Sequence, residues 1–363
     1  MNEGERVRDA PAPARPGRWI RAGLYLLLLA ALGLGSWAAV RLIRGDGRQA
    51  IEPVTLPEGW LIIAPDREVS SLLLVGDTLY AGGMEGIVTV DVRSGEVTGA
   101  LETPIPLVLV KSLVQSRDGK IWAAHQNGVT VFDGDAIRTM TTADGLPDNR
   151  VNALLKARDG RLWAGTFGGA AVFDGSSWRP LTRADGLLDD MVGVLYEDSR
   201  GWLWFGNYVL RGGGVTYVGP DTMGHFTVET GLAHNAITSI VEDQQGRIWI
   251  GSGALTRGGA NVAVWQDRRW ALTRSLGIKD GLAGEKVRLI YPDDHGRLWF
   301  CSEYDGIAIL RSGDLQPLYR LTEREGLSHN EVKAIVADRD GNLWLGAHQG
   351  ITKIPRAYLD RMP

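Results

Sequence analysis

The 363 residues are 44% hydrophobic and 23% charged, an ordinary globular composition that excludes a disordered chain. A single cysteine, Cys301, excludes a disulfide framework and any zinc site built on cysteines. The net charge of −4 is uneven: residues 1–44 hold seven Arg and three acids, and the rest holds 32 basic and 40 acidic side chains, an acidic body that argues against a nucleic-acid ligand.

Residues 1–18, with Pro11, Pro13 and Pro16, read as a disordered cytoplasmic tail. From Ala22 to Val40 nineteen residues carry no charge. As a helix they would span about 28 Å, close to the hydrocarbon thickness of a bilayer. Trp19, Tyr25 and Trp37 stand near its ends as interfacial aromatics, and five Arg precede it against three after it. Residues 19–43 are therefore expected to form a transmembrane signal anchor in the bacterial inner membrane, with the rest of the chain extracytoplasmic. The competing reading is a cleaved signal peptide, with Ser36-Trp37-Ala38 as the cleavage site. Residues 44–58, with Pro53 and Pro57, read as a linker.

Beyond residue 60 one pattern recurs: a turn glycine, then an apolar residue and Trp two and three positions later. GKIWAA, GRLWAG, GWLWFG, GRIWIG, GRLWFC and GNLWLG place Trp at 122, 163, 204, 249, 299 and 344, and Tyr80 marks a degenerate earlier copy. Each unit holds four short strand signals. In the unit around Trp163 they are VNALLKA, RLWAGT, AAVFDG and SWRPLT, with Asp-Gly turns at Asp159-Gly160 and Asp174-Gly175. Units end in a Gly-Leu corner such as Gly145-Leu146 or Gly326-Leu327. Four strands per 40–50 residues predict an all-β chain, a single seven-bladed β-propeller over 59–363. The last copy has three strand signals, and Trp60–Ala64 is the expected fourth, which would close the ring and hide two sheet edges. The recurrent Trp is expected to fill the wedge between blades.

Gly145–Gly175, GLAHNAITSIVEDQQGRIWIG and GLSHNEVKAIVADRDGNLWLG resemble the two-component regulator propeller repeat. The resemblance covers nearly everything after residue 67. It implies an extracytoplasmic sensor of the kind found in hybrid histidine kinases, many of which respond to oligosaccharides. These 363 residues show one ring and no Ig-like, kinase or DNA-binding segment, so the signal is expected to pass to a partner protein.

In a propeller the loops from second to third strand, and from fourth strand to the next blade, share one face around the channel. Here they carry the non-repeating residues, and two of them are lengthened, NYVLRGGGVT from Asn207 and SGALTRGGANV from Ser252. Insertions confined to one face usually mark the working surface of a repeat array. The expected site is a polar, aromatic-lined pocket at the channel mouth. Phe167, Tyr208 and Tyr304 would stack on flat ligand faces. Asn149, Asn235, Glu303, Arg211 and Arg257 would hydrogen-bond, with Arg suited to carboxylates, and His125 and His348 would complete the rim. The bland alternative for Asn149, Asn235 and Asn330 is capping of the inter-blade turn. The expected partners are a small molecule, such as an oligosaccharide or sugar acid, or an envelope protein. No cofactor is expected. A protein-docking scaffold is the alternative. Behind it stands a metal-dependent lactonase or lyase, with Glu285, Glu303 and Asp305 imitating a ligand cage or His125, His329 and His348 converging.

Overall fold

The computed structural model describes residues 55–363, so the expected tail and membrane span lie outside the described residues. Among the described residues no helix is long and apolar enough to cross a membrane. The described residues form one compact unit, and its strands fall into seven four-stranded antiparallel sheets. Blades 1–6 begin at Ser71, Ser112, Val151, Val192, Ile237 and Val287, and blade 7 at Val332. The strand Leu61–Ile63 pairs with Ile351–Ile354 as the fourth strand of blade 7. The first strands of all seven blades touch their neighbours in an unbroken ring and so wall the central channel.

Each repeat Trp sits on the second strand of its blade and packs on the next blade. Trp163 meets Val192 and Phe205, Trp249 meets Val287 and Phe300, and Trp344 meets Val69 and Leu79 across the closure. A second lock closes the ring. Trp60, just before the closing strand, packs edge-on against Tyr358 at 5.0 Å, in the short helix Arg356–Leu359 that ends the chain.

An aspartate six residues before the Trp fixes each of the last four blades. Asp198 accepts hydrogen bonds from the backbone N–H of Arg200 and Trp202, both 2.9 Å, and from the Trp204 indole, also 2.9 Å. Asp243, Asp293 and Asp338 repeat the pattern on Trp249, Trp299 and Trp344. One buried carboxylate thus ties the hairpin turn to the ring that wedges the next blade. Blade 2 substitutes Ser116, whose hydroxyl accepts from Trp122 at 3.2 Å. Blade 3 has Ala157 there, and the Trp163 indole N–H is buried with no hydrogen-bond partner among the described residues.

At the Gly-Leu corners a short 3-10 turn precedes a left-handed glycine, with φ of 96° at Gly145 and 113° at Gly326, and the Leu that follows is buried. In four corners the residue seven positions after the first turn residue accepts its N–H: Asn149 from Thr142, Asp190 from Arg183, Asn235 from Val228 and Asn330 from Glu323, at 2.8–3.0 Å.

The second strands of blades 2, 3, 4 and 6 end on a buried polar residue, His125, Thr166, Asn207 or Ser302, and that of blade 5 carries the buried Ser252 two residues before its end. These anchor the loop that follows; Thr166, for example, donates to the Gly169 carbonyl at 2.8 Å. His125 is fully buried and bonded through Nε2 to Thr130, with Nδ1 accepting from the Asn127 N–H. It therefore presents no surface to a solute, a correction to its expected place on the rim.

Two outcomes follow from this packing. Ala157→Asp should give the Trp163 indole an acceptor and raise stability by about 1 kcal/mol, whereas Asp198→Ala should cost at least about 2 kcal/mol by orphaning three buried donors; denaturant unfolding reads both. Burial pushes the His125 imidazole down to about 4 from its ordinary 6.5. Between those values the unfolded chain binds a proton that the native blade refuses, so stability falls as pH falls across that window, by up to about 3 kcal/mol. His125→Thr should flatten this part of a stability-versus-pH curve, and an unchanged slope would place the effect elsewhere.

Candidate functional site

The channel wall departs from regular pairing at one point in each of five blades. In blades 3–7 the ladder between first and second strands slips by one residue, at Asn152, Gly193, Thr238, Arg288 and Lys333. A bulged residue leaves the period-two alternation and is re-aimed. Asn152 and Thr238 use this to donate to the carbonyls of Val192 and Val287 in the next blade. Gly193 instead makes room: a Cβ there would stand 3.1 Å from that of Tyr208. Ser70 and Lys111 hold the corresponding places in blades 1 and 2, just before their first strands.

Around this level lies a connected set of charges. Arg288 and Lys333 approach Glu331 at 3.5 and 3.7 Å, and Lys333 pairs with Glu68 at 2.8 Å. Burial would raise the Glu68 carboxyl, but hydrogen bonds from Lys333 and Ser70 outweigh it and hold it below the usual range. His348 reaches the same group, 3.8 Å from Glu331, and its ring lies 5.1 Å from that of His329.

A second knot adjoins it on blades 4 and 6. Lys286 Nζ lies 2.6 Å from Glu303 and donates to the Tyr208 hydroxyl at 3.2 Å; the Lys and Glu side chains are 8% and 17% exposed. Burial works against the ammonium, yet Glu303 raises its pKa above the ordinary value. Tyr208 is held by an N–H bond to Met191 and a bridge to Ala236. Tyr304 stands 55% exposed beside the pair. Partial burial pushes its phenol up, and the charges of Glu303 and Glu331 push it further.

Of the residues expected at the mouth, Tyr208, Glu303, Tyr304 and His348 belong to these two knots. The others do not gather with them. Phe167 is half-buried under the Arg150 guanidinium, 4.2 Å from its ring centroid, and Arg150 is itself bound to Asp148. Asn149 and Asn235 spend their side-chain oxygens on corner caps. Arg211 and Arg257 are exposed and form no ion pair among the described residues. The second insertion is a continued hairpin, with Ala254 paired to Arg257 and Leu255 81% exposed at its tip. The wall residues Glu68, Lys111, Arg288, Glu331 and Lys333 escaped sequence reasoning. Their signal was a charge beside the buried Val at or just before the start of a first strand.

Two shallow clefts, about 260 and 250 Å³, lie at the hairpin turns of the opposite face and share Asp338–Asp340. Asp338 there is already committed to the Trp344 indole and two turn N–H groups. Among the described residues no group of three or more His, Cys, Asp or Glu is arranged to hold a metal ion.

No curated protein matches the sequence. Among solved structures, one similar chain is the extracellular domain of BT3049 from B. thetaiotaomicron, assigned to a hybrid two component system, with a TM-score of 0.68 and 21% identity over 80% of this chain. PorZ of P. gingivalis, a surface component of the type-IX secretion system, gives 0.61 and 16% over 87%. Virginiamycin B lyase of S. aureus gives 0.62 and 15% over 82% of this chain and 98% of its own. The chain spans 39% of the BT3049 domain and 50% of PorZ. At these identities the likeness is one of fold. By sequence, the family described as "Two component regulator propeller" matches residues 145–168, 186–209, 231–254 and 326–349, corner through second strand in four blades. The chain is thus a seven-bladed propeller, four of whose blades match the two-component regulator propeller repeat.

Proposed function

We propose that this propeller is an extracytoplasmic recognition module that binds a small polar ligand at its channel mouth and passes the result to a partner protein. One observation carries this reading: the exposed Tyr304 ring stands beside a buried Lys286–Glu303–Tyr208 knot. Such a site offers a stacking face next to fixed polar groups, the usual make-up of a small-ligand site. The same knot speaks for binding over catalysis. A catalytic amine needs a depressed pKa, and Glu303 drives that of Lys286 upward. The likeness to virginiamycin B lyase, at 15% identity, brings no chemistry to these residues. The repeat family and the apolar run at 22–40 support a place at the outer side of the inner membrane, with residues 19–43 as anchor.

A docking role is the second reading, favoured by one feature. The two lengthened loops raise Leu210 and Leu255, 60% and 81% exposed, beside the unpaired Arg211 and Arg257.

Thermal unfolding of the full chain against neutral and acidic oligosaccharides decides between them. A ligand at 100 times its dissociation constant stabilises by about 2.7 kcal/mol, a shift of a few degrees. Tyr304→Ala should weaken that ligand at least tenfold and leave the ligand-free midpoint within about a degree. A panel without any shift, together with a membrane cross-link that Leu255→Asp abolishes, would replace sensing by docking.

A further inference from the structure

The charges on the channel wall do not balance. Arg288, Lys333 and Lys111 face two acids, Glu331 and Glu68, while Lys286 and Glu303 neutralise each other. Arg288 and Lys333 each have a carboxylate within 4 Å. Lys111 is half-buried and forms neither an ion pair nor a side-chain hydrogen bond among the described residues. Its backbone is pinned, with its N–H donating to the Ala124 carbonyl at 2.9 Å, so it occupies the bulge level of the wall.

We infer that Lys111, with Arg288 and Lys333 of blades 6 and 7, forms a subsite for a single carboxylate, the anionic end of a ligand such as a sugar acid. At the same level blades 1, 3, 4 and 5 present Ser70, Asn152, Gly193 and Thr238, which are neutral, so the three cations set the potential there. Both acids stand two residues earlier, each just before a buried Val, and Lys333 and Arg288 already engage them. One positive charge is left without a counter-ion. Walls of low dielectric keep such a charge poorly screened and hold an entering anion strongly. Burial also drives the Lys111 ammonium below its ordinary pKa, with Arg288 and Lys333 adding to the effect and Glu68 opposing it. An anion between the three would relieve that repulsion and accept charge-assisted hydrogen bonds.

This names the ligand class of the mouth, and for the rest of the ligand it rests on the recognition reading above. The test is thermal unfolding of the full chain at fixed ionic strength with galactose, galacturonate and acetate, for the wild type and Lys111→Met. Galacturonate is expected to shift the wild-type midpoint further than galactose, and acetate to shift it further than chloride. Lys111→Met should lose both increments, a weakening of at least tenfold, while its ligand-free midpoint rises because an uncompensated buried cation is gone. Lys111→Arg should keep the increments. If neither sugar acts but acetate still stabilises the wild type and not Lys111→Met, the subsite stands and the sugar-binding mouth falls. If acetate gains nothing over chloride, if galactose acts and galacturonate gains nothing over it, or if Lys111→Met keeps the increments, the subsite is overturned.

Discussion

The buried aspartate that accepts both turn N–H groups and the next Trp indole is the constraint on which this ring depends. A propeller blade has only four short strands, and its interior is the seam it shares with its neighbour. The Trp that fills the seam must be aimed, and its indole N–H must be satisfied inside an apolar wedge. A carboxylate at the hairpin turn does both, because the turn's own N–H groups hold it in place. Charge on the aspartate is tolerated there because three donors converge on it, and Arg247 and Arg297 add a 2.6 Å ion pair in blades 5 and 6.

That device is not shared evenly. Blades 4–7 have it, blade 2 has the weaker Ser116, and blade 3 has Ala157 with an orphaned indole. The polar knots of the channel lie chiefly on blades 6, 7 and 1, with Tyr208 contributed by blade 4. Rigid seams therefore underlie most of the residues of the proposed recognition site, and precise sites sit best on such elements. The exception is Lys111 on blade 2, which is anchored by its own backbone bond.

The architecture was legible in the sequence because the Trp period, the Asp-Gly turns and the Gly-Leu corners each repeat. Blade number, strand count and the closing role of Leu61–Ile63 all follow from that repetition. The channel mouth was legible only in part. Tyr208, Glu303, Tyr304 and His348 come together as non-repeating loop residues would. Asn149 and Asn235 do recur, and recurrence is what a corner cap requires. His125 reads as a loop residue in sequence, yet it closes a strand and is buried by its neighbours. The wall charges were hidden for a different reason. A bulge changes which way a side chain points without changing the apolar pattern around it, so Arg288 and Lys333 read as ordinary outward positions in a strand.

The bulge also separates what the repeat must keep from what it can vary. The Val before it is buried in the seam of every blade that bulges except blade 5, which has Ile237, and the strand after it packs on the next blade. The bulged residue alone falls outside the ladder of its own blade. Where nothing is asked of that position a neutral donor such as Asn152 or Thr238 is the cheap solution, since it returns its bond to the adjacent strand. Lys and Arg at the same level bring desolvation and mutual repulsion, and they bring them on one side of the ring only. A cost carried by three blades and avoided by the other four is better explained by something that enters the channel than by the needs of the fold.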